Sequence, residues 1–317
     1  MNYYRPSLII GFILICSNVC AKQTNFEKLK LGSEYQFNYK WLDARSAAQE
    51  LSFKLDAKNV NGDFRHFKAL KPSLLHMYSV KKLKQAVAQL DPRKGTVKIK
   101  QRPNRVEFEI RSTNRDWINE QNIQLSSLYQ SALKEILHSE YYVEFPGFSK
   151  MSSTTTYKPD HLRFAKESGD ALSAIIEQIR MKMPRATARQ ISAYILSWIQ
   201  TIPYSEIESR AESNGAGFLP PIKVIANNKG DCDSKVTLMA SLLKKMFSRL
   251  RVAIIYIPGH ALIGLNVSHL SKDYKLEING LDYTLSEPVG PGVLKFATIS
   301  ERSKRYIESG NYLVELL

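Results

Sequence analysis

Cys232 stands in the run Gly230-Asp-Cys-Asp-Ser-Lys, directly ahead of a segment in which Val236, Met239, Ala240, Leu243 and Phe247 recur at helical spacing. That pattern predicts a thiol at the N-terminus of a helix whose apolar stripe is buried, with the sulfur on the interior side. A helix N-terminus and a nearby imidazolium both favour thiolate over thiol, and the thiolate is the nucleophile. An imidazole is available at His260, which follows Pro258-Gly259 and opens an apolar run through Val267. Such a ring can take the thiol proton and return it to a leaving amine, as acyl transfer from an amide requires. A third group must hold the ring, and Asp282 and Glu287 lie at opposite ends of the run Leu281 to Glu287.

The elements that would bring these groups together are legible as patterns. Arg251 to Ile257 reads as a buried strand, Pro258-Gly259 as its turn, and His260 to Val267 as the next strand. Asn279-Gly280 marks a hairpin turn before Leu281. In a three-strand meander Asp282 would lie level with His260; direct antiparallel pairing of the last strand with the histidine strand would bring Glu287 alongside instead. Two helices are expected upstream, roughly 170–183 and 187–201, the second starting after Pro184, ending before Pro203 and packing through Ile191, Ile195, Trp198 and Ile199. Asp231 and Asp233 are expected to favour the helix dipole while slightly opposing thiolate formation.

Together these runs resemble a known family. Gly230-Asp-Cys-Asp-Ser-Lys, Pro258-Gly-His-Ala-Leu, and Tyr283-Thr-Leu-Ser-Glu-Pro-Val-Gly-Pro look like the three motifs of bacterial transglutaminase-like domains, and Trp198-Ile-Gln-Thr-Ile-Pro-Tyr204 resembles the helix end that precedes them. The resemblance spans roughly 175–300 and leaves the N-terminal half uncovered. It implies a papain-like core, in which a helix bearing the cysteine packs on an antiparallel sheet, and a Cys232-His260-Glu287 triad acting on amide or peptide bonds through a thioester. The glutamate departs from the aspartate of many relatives. Carried over with the motifs is Gln200, whose amide would join the Cys232 N–H in an oxyanion hole. The loop Asn214 to Pro221 is carried over likewise, as a place where substrate backbone could approach closely.

The rest of the chain frames that expectation. Residues 1–21 hold one cation, Arg5, followed by an apolar run from Leu8 to Ile15 too short to span a bilayer, the layout of a cleavable signal peptide cut near Ala21. Export to the periplasm or medium, with no stable membrane anchor, is therefore expected. Cleavage would remove Cys16 and Cys20 and leave Cys232 without a disulfide partner. It would also lower the formal charge from +15 to +14, since Arg5 is the one charged residue lost. That excess favours an acidic envelope component as partner, while the family resemblance implies a protein or peptide substrate. Nucleic acid is not expected, because the cations are scattered among acids without interleaved aromatics.

Residues 22–157 read as a smaller α+β domain of unassigned role and 158–317 as the transglutaminase-like domain, with a linker composition near 144–159. In the first domain Thr96 to Gln101 and Arg105 to Ile110 alternate as strands, Pro103-Asn104 would turn them, and Gln121 to Glu140 has helical spacing. The fold class is thus α+β. No cofactor is expected: Cys232, His260 and His269 lack paired metal-ligand spacing, and no phosphate loop or dinucleotide fingerprint is present. The competing expectation is a catalytically inactive binding module of the cell envelope that keeps the fold.

Overall fold

The computed structural model describes residues 22–102, 105–148, 156–207, 215–289 and 294–317. The signal segment with its cut near Ala21, the Pro103-Asn104 turn and Asn214 lie outside them. The chain is α+β with antiparallel sheets. Among the described residues no helix is long and apolar enough to cross a membrane.

The chain opens with a meander of β1 (Lys22–Leu31), β2 (Glu34–Leu42) and β3 (Ala48–Asp56). Phe37, Tyr39 and Trp41 alternate along β2, and Leu51, Phe53 and Leu55 along β3, so each strand turns one apolar face inward. There follow α1 (Ala57–Gly62), α2 (Pro72–Val87), the hairpin of β4 (Thr96–Arg102) with β5 (Arg105–Arg111), and α3 (Arg115–Ser139). Helix α3 starts at Arg115 rather than near Gln121, because the Asn114 side chain accepts from the Trp117 N–H and caps it there.

A short hairpin of β6 (Tyr142–Phe145) and β7 (Thr156–Pro159) leads into α4 (His161–Glu167), α5 (Ser173–Lys182) and α6 (Ala188–Thr201). A capping box between Thr187 and Gln190 sets the start of α6. Then come α7 (Pro221–Asn227), α8 (Cys232–Met246), β8 (Val252–Ile257), β9 (His260–Leu265), β10 (Lys275–Ile278), β11 (Leu281–Ser286), α9 (Glu301–Glu308) and β12 (Leu313–Leu316). The five strands pair antiparallel in the order β10-β11-β9-β8-β12. One face, carrying Val252, Ile254, Ala261, Ile263 and Leu265, belongs to the core that includes α8; the other, carrying Ile255, Ile257, Leu262 and Leu285, packs with Ile307 of α9.

Helix α8 is enclosed more fully than a single stripe predicts. Ser234, Lys235, Thr237 and Ser241 are buried beside Val236, Met239, Ala240 and Leu243, because α4, α7 and α6 cover the sides that the sheet leaves open. Phe247, read as the end of the stripe, is instead the C-cap.

The expected division at 157 is not a gap in packing. Tyr39 and Phe53 of the first sheet set their rings edge-on to Trp198 of α6, at 5.2 and 5.9 Å. Trp41 Nε1 donates to Ser197 Oγ and Tyr39 Oη to the Ile225 carbonyl. A second apolar cluster joins Phe67, Leu75, Leu133 and Tyr142 to Phe164 and Phe218. Alternation along β2 and β3 exposes one apolar face that water would otherwise cover, and α6 is what covers it.

Candidate active site

Asp231 caps α8 by accepting from the Ser234 N–H at 3.0 Å, so Cys232 is the first residue of the helix. Its own N–H is one of the first-turn donors that a helix cannot satisfy internally. A parallel bridge between Tyr204 and Gly230 ties the chain leaving α6 to the approach to α8. His260 is placed by a two-residue turn: Pro258-Gly259 joins β8 to β9, with Ile257 paired to His260. Gly259 has φ +70°, a backbone conformation that favours glycine in this turn.

The last strand pairs directly with the histidine strand. Ser286 of β11 faces Ile263 of β9, so the next residue, Glu287, arrives at the His260 end of the sheet. His260 Nδ1 lies 3.0 Å from Cys232 Sγ, and His260 Nε2 lies 3.1 Å from Glu287 Oε2. The other carboxylate oxygen of Glu287 accepts from the Ser300 N–H at 2.8 Å. Asp282 sits toward the opposite end of β11, half-buried, and pairs with Lys275 at 2.6 Å. Of the two acids that the sequence left open, Glu287 is the one that meets the ring.

The electrostatics favour an ion pair. Burial works against a charged His260, but its hydrogen bonds to Cys232 and Glu287 outweigh that and raise the ring to about 9. Burial alone would raise Glu287, yet hydrogen bonds from His260, the Ser300 N–H and Ser303 hold its carboxyl down to about 2. Both ring nitrogens can therefore carry protons, one toward sulfur and one toward carboxylate.

Gln200 is placed differently from expectation. Its Nε2 donates to the carbonyls of Glu287 at 2.8 Å and Leu294 at 3.1 Å, which uses both amide protons. Turning the amide over would set oxygen against two carbonyls, so the orientation is determined. Gln200 pins the chain on either side of the 290–293 segment rather than offering a proton to an oxyanion beside Cys232. The Cys232 N–H is left as the donor that the helix start itself supplies.

The thiol opens into a cleft of about 420 Å³. Phe145, Phe148 and Lys158 from the β6–β7 hairpin form one side with Tyr256, and Tyr204 and Glu206 line it after α6. A larger groove of about 700 Å³ lies between the 62–68 loop and Tyr141, but it holds no thiol beside an imidazole. Sequence reasoning missed the hairpin residues, of which Phe145 and Phe148 come from the half with no motif and Lys158 stands at the expected division. It also missed Ser300, whose place at the cap of α9 ahead of Glu301 was the available signal.

A second imidazole lies near the cleft. His161 is fully buried, with Nδ1 2.8 Å from Tyr256 Oη. Its Nε2 has no hydrogen-bond partner among the described residues and lies 4.0 Å from Asp233 Oδ2. Burial, reinforced by Lys158, holds this ring well below the usual histidine range. Burial and the adjacent Asp231 raise the Asp233 carboxyl to about 7.

Comparison of the chain with protein-family models, with curated proteins and with solved structures found no match.

Proposed function

We propose that this protein is a cysteine-dependent enzyme acting on carboxamide or peptide bonds, with Cys232 as nucleophile, His260 as acid and base, and Glu287 as the group that orients and charges the ring. A transglutaminase-like, papain-like core is the reading that accompanies it, resting on the sequence motifs and on a thiol-bearing helix packed against an antiparallel sheet. One observation carries the proposal: a half-buried free thiol 3.0 Å from an imidazole whose far nitrogen meets a buried carboxylate at 3.1 Å.

In the proposed reaction the thiolate sulfur attacks the amide carbon, and the carbonyl π electrons move to oxygen, which faces the Cys232 N–H. Collapse breaks the C–N bond while the Nδ1 proton of His260 passes to the leaving nitrogen, giving a free amine and a thioester. Water, or an acceptor amine, then loses a proton to Nδ1 as it attacks the thioester carbon, and the sulfur departs as thiolate. Glu287 keeps its charge throughout and stabilises the imidazolium at each stage. Hydrolysis is the favoured outcome, because water requires no second binding site. Export through the N-terminal segment completes the reading and would put this thiol to work outside the cytoplasm.

Iodoacetamide supplies the test. It should label Cys232 in the folded protein, and His260→Ala should slow that labelling by roughly 100-fold or more. Incubation with a peptide library followed by acid quench should also trap an acyl adduct on the Cys232 peptide. Equal, slow labelling of both proteins with no adduct would sink the proposal and leave the noncatalytic binding module.

A further inference from the structure

Lys235 is fully buried one turn along α8 from the thiol, and it has no carboxylate partner among the described residues. Its Nζ donates to the backbone carbonyl of Ile202, at the C-cap of α6. A side chain of this length could have been replaced in the same space by an apolar one, and an enclosed ammonium that meets only a neutral carbonyl is costly unless an anion lies within range. The anions in range are on its own helix. Cys232 is three residues earlier, on the same helical face, and Asp231 is four residues earlier. Burial pushes the Lys235 ammonium down to about 8, while Cys232 and Asp231 pull it upward.

The thiol's other neighbours leave a gap in the charge balance. His260 from β9 supplies one positive charge, and Glu287 behind it one negative. Asp231 and Asp233 flank the sulfur in sequence, Glu206 and Tyr204 line the same cleft, and Lys158 of β7 is occupied by Glu315 at 2.9 Å. The carboxyls of Asp231, Asp233 and Glu206 thus surround a centre that must itself become negative, although Asp233, raised to about 7, is only partly charged at neutral pH. Lys235 is the cation beneath it that no acid has claimed.

We propose that Lys235 is a positioning residue whose buried ammonium supplies the counter-charge for the Cys232 thiolate, offsetting the flanking aspartates from inside the helix. This rests on Cys232 being the nucleophile of the proposed reaction, but it is a claim about thiol ionisation and needs no substrate to test.

The experiment is the pH profile of Cys232 alkylation by iodoacetamide in the intact chain. Lys235→Met, which keeps the volume and removes the charge, should move the profile to higher pH and slow labelling at pH 7 by about three- to tenfold, the range expected for one charge acting through a partly enclosed medium. Adding Asp231→Asn, which preserves the helix cap, should move the profile back toward the starting position. A purely structural role for Lys235 would leave the alkylation profile unshifted in Lys235→Met, so an unshifted profile overturns the proposal, as does a double variant that stays as slow as Lys235→Met even though the charge beside the sulfur is gone. Should Lys235→Met fail to fold, the ¹³Cε signal of Lys235 gives the reciprocal readout: its titration must move to lower pH in Cys232→Ala, and an unmoved titration overturns the proposal. Failure of the amide chemistry looks different, since it would remove the acyl adduct while leaving the lysine-dependent ionisation in place.

Discussion

Two imidazoles lie near the cleft, and the protein treats them in opposite ways. His161 is fully buried and His260 largely so at the cleft wall, and burial alone drives either ring toward neutrality. His161 meets a phenol on one side and, among the described residues, no hydrogen-bond partner on the other, where Asp233 stays 4.0 Å away, so burial prevails and the ring stays neutral. His260 meets a thiol on one side and a carboxylate on the other, and these two contacts reverse the sign of the shift. An enclosed histidine is therefore not by itself a reactive one; what separates the two is a pair of acidic groups facing both nitrogens.

The largest effect expected from this comparison is on the carboxylate. Glu287→Gln keeps the hydrogen-bonding shape but removes the charge, and should reduce peptide turnover at neutral pH by at least about 100-fold. Asp282→Asn, on the same strand but paired with Lys275 away from the ring, should change turnover by less than about twofold. Comparable losses in the two variants would mean that the contact at 3.1 Å does not hold in solution.

A smaller, opposed pair of effects is expected in stability against pH. His260 is raised from 6.5 to about 9, so its contribution is fully present below pH 6.5 and is lost as pH rises through about 9. His161 is depressed, so its folded environment is unfavourable to protonation, and the associated stability is present above 6.5 and lost as pH falls below it. Thermal melts across pH should therefore lose the alkaline slope in His260→Ala and the acid slope in His161→Phe. If His161→Phe flattened the alkaline side instead, the assignment of neutral and charged rings would have to be exchanged.

The smallest effect on chemistry should come from Gln200. Gln200→Met leaves two buried carbonyls without their donor and should cost about 2 kcal/mol of stability in chemical denaturation. Cys232 labelling in the folded protein should slow by less than about threefold, because both protons of this amide go to the carbonyls of Glu287 and Leu294 rather than toward the sulfur. A loss of turnover near that of His260→Ala, with unchanged stability, would restore Gln200 to the oxyanion hole.

These residues also mark what could be read from the chain alone. Cys232 and His260 were legible because short-range signals place each of them: a capped helix start and a Pro-Gly turn. Spacing alone left Glu287 and Asp282 open, and only the family resemblance favoured Glu287, because the choice depends on whether β11 pairs with β9 directly, and strand order is a long-range property. Gln200 was misplaced for the same reason, since its carbonyl partners are far along the chain and only the fold brings them to it. The alternating faces of β2 and β3 were accessible as a pattern, but nothing local says that Trp198 would be their counterpart.

That counterpart has a consequence for how the protein can be divided. Residues 158–317 hold every group proposed for the chemistry, yet Trp198, in the last turn of α6, is walled by Tyr39 and Phe53 from the far side of the chain. Cut free of its first sheet, the chemical half would carry an oily aromatic scar in place of a surface, and the helix ending at the Gln200 clamp would lose its backing. The stretch without a motif is thus a buttress, and its removal would be felt at the thiol without a single side chain of the triad having been touched.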